Sequence, residues 1–123
     1  MIAAKQFGSY EVITTTIAAS ASLSSEIDIG AHINAMAFEI PNGWTSANIT
    51  FAGSHSSGGT FRSIYGDGGT EISVTVGGTN RMVGLDATKC NALKPFRYVK
   101  IRSGTDASPV EQEEIRTIYV MVK

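Results

Sequence analysis

Side chains that do chemistry are scarce in this sequence. It has one cysteine, Cys90, and two histidines, His32 and His55, with 22 residues between them. A lone cysteine excludes an intrachain disulfide and leaves the redox compartment open. No Cys/His spacing supports zinc, and no cofactor is expected. Charged residues make up 17% of the chain, below the roughly 25% of an average domain, and the formal net charge is −1. Such a balance lacks the basic footprint that neutralises phosphates, so no nucleic-acid partner is expected. No stretch approaches the roughly 20 apolar residues of a membrane span, so no membrane partner is expected either. The opening residues have neither the cationic region nor the unbroken apolar run of a secretory leader. Asn48-Ile49-Thr50 fits the glycosylation pattern by chance, inside an apparent strand.

Motifs that imitate catalytic sites fail on spacing. His55 lies in Gly53-Ser54-His55-Ser56-Ser57-Gly58-Gly59, which never meets the Gly-x-Ser-x-Gly spacing that exposes a nucleophile. Its Gly and Ser content reads as a strand-connecting loop. Gly66-Asp67-Gly68-Gly69 offers one carboxylate where a calcium loop needs several, and reads as a tight hairpin turn. The glycine clusters lack the Gly-Lys-Ser/Thr of a phosphate loop. Cys90 reads as a small buried apolar residue. The chain is therefore expected to bind and pack, not to catalyse.

What is present is alternation. Met36, Phe38 and Ile40 alternate with Ala35, Ala37 and Glu39 up to the Pro41-Asn42-Gly43 turn. Trp44 opens the next segment, where Ala47, Ile49 and Phe51 alternate with Ser46, Asn48 and Thr50. Ile72, Val74 and Val76 alternate with Glu71, Ser73 and Thr75. This is the period of strands with one buried and one wet face. Residues 10–18 are rich in β-branched side chains, Leu23, Ile27 and Ile29 mark another strand, and residues 81–85 a short one. Residues 96–102 and 115–123 have apolar residues on both faces, which places them centrally or under a partner. Eight or nine strands with frequent turn signals predict an all-β, antiparallel two-sheet sandwich, a jelly roll, with at most one or two short helical turns. Ser108-Pro109-Val110-Glu111 has the cap signals for one such turn, and residues 86–94 offer a second. Residues 1–9 are expected to form an arm and residues 10–123 a single domain.

Two binding footholds remain. Arg97, Lys100 and Arg102 interleave with Phe96 and Tyr98, which suits either a single-stranded nucleic acid or, better, a central strand with its aromatics in the core. Trp44, directly after a turn, is the candidate for stacking on a glycan, against the alternative of core packing.

Two segments carry a resemblance. One is Trp44-Thr45-Ser46-Ala47-Asn48-Ile49-Thr50-Phe51-Ala52-Gly53-Ser54, and the other runs Phe96-Arg97-Tyr98-Val99-Lys100-Ile101-Arg102-Ser103-Gly104-Thr105 and on through Pro109-Val110. Together they resemble small virion structural proteins of tailed bacteriophages, over roughly residues 32–123. The same strands are similar to the jelly-roll sandwiches of discoidin-like and carbohydrate-binding modules. Cys90 and Lys94, before Phe96, depart from the pattern. The resemblance implies a capsid decoration or cement protein, made in the host cytoplasm and carried on the virion surface. Its expected partners are the major capsid protein and further copies of itself, as a trimer or dimer, and it supplies no catalytic residues. A glycan-binding module or a tail or connector subunit are the alternatives. Contacts are expected from the arm (Met1, Ile2, Lys5, Phe7), from Tyr10, and from the loops holding His55, Ser56, Thr105 and Asp106.

Overall fold

Strands with one apolar face must cover it, and here they do so in pairs of sheets. A computed structural model describes residues 10–30 and 34–123. Met1, Ile2, Lys5, Phe7, the expected arm and His32 lie outside the described residues. One sheet has the order β1 (Glu11–Ile17), β9 (Arg116–Val122), β3 (Met36–Ile40), β7 (Arg81–Gly84). The other has the order β2 (Ile27–Asp28), β8 (Tyr98–Ser103), β4 (Ile49–Ser54), β5 (Arg62–Ser63), with β6 (Ser73–Val74) also paired to β4. Every pairing between these strands is antiparallel. The pairings nest, β1 with β9, β2 with β8, β3 with β7 and β4 with β5, which is the wound-ribbon order of a jelly roll. The fold is an all-β sandwich, as the alternation predicts.

The shared interior is apolar and closely packed. Phe38, Ile40, Ile118 and Val120 of the four-stranded sheet and Ile49, Phe51, Val99 and Ile101 of the five-stranded sheet are all essentially sealed from solvent. The rings of Phe38 and Phe51 meet across the sandwich with centroids 5.8 Å apart. Helix α1 (Ala87–Leu93) closes one end through Cys90 and Leu93, and burial pushes the Cys90 thiol up from its ordinary pKa. This is the short helical element expected over residues 86–94. The turn of helix expected at Ser108–Glu111 is absent. There the chain doubles back instead: Thr105 N–H donates to the Ser108 carbonyl and Val110 N–H to that of Ser103. Gly104 permits the reversal, with φ +89° and no room for a Cβ, which would lie 2.6 Å from Ser108 O.

Polar burial is confined and paired. Gln112 is fully buried, and its amide bonds to Thr45 N–H and Thr45 O, to Ser103 Oγ and to Arg116 Nε. Strand β4 departs from the expected wet face, because all six of its residues are buried. Thr50 tolerates this since its hydroxyl donates to Gly104 O at 2.7 Å.

Candidate functional site

Since a strand points alternate residues to opposite sides, each sheet also has an outer face, and the two differ sharply. On the four-stranded sheet, Val12, Met121, Ala37 and Gly84 align in one row across the strands. Thr14, Tyr119, Glu39 and Met82 form the next. Val12, Tyr119 and Met82 are 54%, 42% and 63% exposed. Tyr10 and Ile115, also exposed, extend the patch at its two ends beside Met121 and Tyr119. Five of the six large apolar side chains exposed among the described residues therefore gather here, and Glu39 is the one charge in the two rows. A shallow groove of about 520 Å³ runs along Met82, Tyr119 and Ile115. Contiguous apolar surface of this kind marks a contact site far more often than scattered side chains do.

The outer face of the five-stranded sheet is crossed by ions and covered by loops. Arg102 bonds Glu71 at 3.2 Å with both side chains nearly buried, and lies 3.9 Å from Asp106. Arg97 grips Asp28 through Nε and Nη2 at 3.0–3.1 Å. Lys100 sits over the Phe61 ring at 4.7 Å. Glu26 accepts from Ser57 Oγ and Gly58 N–H, clamping the 54–59 loop. Those donors, the backbone one foremost, hold the Glu26 carboxyl below its ordinary pKa; the Arg97 guanidinium and then Gly30 N–H do the same for Asp28.

Between that loop and β5 lies a concavity of about 740 Å³. Gly53 forms its floor, because a Cβ there would meet the Phe96 ring at 2.9 Å. Arg62, Tyr65 and Arg97 stand around it. Partial burial and the nearby Asp106 and Glu71 carboxylates push the Tyr65 phenol up from its ordinary pKa, so it stays neutral.

The expected contact residues separate. His55 and Ser56 stand exposed at the rim of this concavity. Thr105 and Asp106 do not line it but are engaged beside it: Thr105 Oγ1 accepts from Ser108 N–H, and the Asp106 carboxylate accepts from Ser63 Oγ, a lining residue. Tyr10 joins the apolar patch. Trp44 is corrected as a glycan-stacking residue. It is 5% exposed, its ring belongs to the core, and its indole N–H donates to Ala47 O. Strand β8 is central, between β2 and β4, and Phe96 packs against the core, but Tyr98 does not, and Arg97, Lys100 and Arg102 each hold an internal partner. Reading the sequence missed the patch itself, although Tyr119 and Met121 on the second face of β9 were its signal. Among the described residues, no three His, Cys, Asp or Glu side chains gather to hold a metal ion. No helix described is long and apolar enough to cross a membrane.

Fold and surface together define a two-sheet β-sandwich with one apolar sheet face that no other described residue covers. No family model and no curated protein matches the chain. Among solved structures, the SPBc2 prophage-derived protein YomS is similar, with a TM-score of 0.51 over 94% of this chain and 96% of that one. The two share 18% identity, so the likeness establishes a common fold.

Proposed function

We propose that this chain is a phage virion structural protein, a decoration or cement protein that docks the outer face of its four-stranded sheet onto coat-protein subunits of the head. The observation that carries the reading is the gathering of Val12, Met82, Ile115 and Tyr119 on one face, exposed among the described residues. The virion motif and the prophage origin of the structural neighbour support the phage context. Size argues for a repeated lattice as the partner. Four strands about 4.8 Å apart and up to seven residues long make a face of roughly 300–400 Å². That is about half the roughly 800 Å² per partner of a stable standard interface. One copy would hold weakly, whereas linked copies on a symmetric shell hold through multivalency.

Co-sedimentation with undecorated heads of the phage that encodes the chain tests this. The wild type should pellet with the shells and raise their heat resistance, and Met82→Lys with Tyr119→Lys should leave the protein folded but in the supernatant. Failure of the wild type to pellet, or equal pelleting of the variant, sinks the reading. Attachment to tails alone would make it a tail subunit.

A further inference from the structure

The concavity beside the 54–59 loop lies on the other sheet, and the docking reading makes no use of it. Its lining brings together Arg62, Arg97 and His55, and no carboxylate is among its lining residues; Asp106 stands behind it, bonded to Ser63 Oγ and paired with Arg102. Arg62 forms no ion pair among the described residues, and Arg97 has one guanidinium nitrogen left over from its grip on Asp28. Two rings flank these cations, Tyr65, 51% exposed, and Phe96, half-buried over Gly53. Ser56 and Thr60 add exposed hydroxyls. The walls are set in advance. Ser54 Oγ bonds the backbone of Ser56 on both its N–H and carbonyl, and Glu26 holds Ser57 and Gly58 from outside.

A guanidinium between aromatic surface and hydroxyls suits a ligand that is anionic, ring-shaped and hydroxylated. Phosphate sites often rest on a nest of free backbone N–H groups. Here those of Ser56, Gly58 and Gly59 are consumed by Ser54 Oγ, Glu26 and the Ser56 carbonyl. What remains is the planar fork of an arginine, which takes the two oxygens of a carboxylate side by side, as it also can those of a phosphate. The volume of about 740 Å³ falls within the roughly 300–1,000 Å³ of small-ligand sites. We infer that this concavity binds a carboxylated sugar, its carboxylate on Arg62, its ring against Tyr65 and its hydroxyls toward Ser56 and Thr60. A glycan site on this chain therefore belongs at Tyr65 and Arg62, not at Trp44. Sugar binding here is independent of the docking reading and stands or falls separately.

Amide chemical-shift titration of the whole chain tests it, with digalacturonate as probe and with its methyl ester and inorganic phosphate as controls. Digalacturonate should shift residues 54–65 and 96–97 and leave Met82 and Tyr119 unmoved. Arg62→Ala and Tyr65→Ala, both at exposed positions, should each weaken binding at least tenfold with an unchanged far-UV spectrum. Glu39→Gln on the opposite sheet should bind as the wild type does. Digalacturonate that shifts nothing at millimolar concentration overturns the proposed site. So does an ester or phosphate that shifts the same amides equally, or an Arg62→Ala variant that binds undiminished.

Discussion

The two outer faces of this sandwich start from the same alternating pattern and end as opposites. On the four-stranded sheet, Thr14, Tyr119, Glu39 and Met82 lie side by side with solvent above them. On the five-stranded sheet, Thr50 and Arg102 are also side by side, yet both are under cover, because Glu71 and the 103–109 turn fold over them. The difference lies in the loops, not in the strands. A polar second face is paired with charged loops, while a mildly apolar one is left bare by the described residues. Stability should therefore be concentrated in one face and contact function in the other.

The largest expected effect comes from removing the centre of the covered face. Arg102→Met keeps the side-chain bulk but strands Glu71, whose side chain is 15% exposed, and leaves Asp106 without its cation. Breaking a largely buried ion pair on one side should cost about 2–3 kcal/mol, measured by chemical denaturation. Hydrogen exchange should quicken through residues 103–109. A loss under about 0.5 kcal/mol would show that the ionic cover contributes nothing, and the contrast between faces would collapse.

A smaller effect should follow from acid. Glu26 and Asp28 both have folded pKa values below their ordinary 4.5 and 3.8, so the folded state favours their charged forms. Their contribution is complete above those ordinary values and fades as pH falls through the lower folded ones. The stability difference between the wild type and Glu26→Gln should therefore be constant near neutrality and shrink towards zero below about pH 4. Gly58 amide protection should fall over the same range, since its donor bond is to Glu26. A difference that grows on acidification would contradict the clamp.

Much of this was legible in the residues. Alternation located β3, β4 and β6, β-branched side chains located β1, and two-sided apolar character put β8 and β9 in the middle of their sheets. What remained hidden depended on contacts between distant parts of the chain. Thr50 reads as a wet residue because its neighbours alternate, and only the return of Gly104, 54 positions later, buries it. Trp44, directly after a turn, reads as either a stacking ring or a core residue, and Thr79 and Ala47, which bond its two N–H groups, decide for the core. The cap signals at Ser108 and Pro109 lost to the pairing of Pro109 with Gly104. The apolar patch was visible as Tyr119 and Met121, but a strand's own residues do not say whether something covers its second face. Arg62, Tyr65 and Phe96 come together only through folding.

The smallest effect on stability should come from the bare face, and that smallness is itself informative. Met82 and Tyr119 are 63% and 42% exposed, so each leaves much of its surface in water whether the chain is folded or not. Replacing either with threonine keeps a good strand former and removes apolar surface that is mostly unburied. Each change should shift unfolding free energy by no more than about 0.5 kcal/mol, the usual range for exposed positions. A destabilisation above about 2 kcal/mol would mean that these side chains are packed against something in the folded chain. The face would then belong to the protein's own interior, and the docking reading would lose its surface. If stability holds while attachment to shells weakens, the apolar side chains are kept for a partner, since they contribute almost nothing to the fold that displays them.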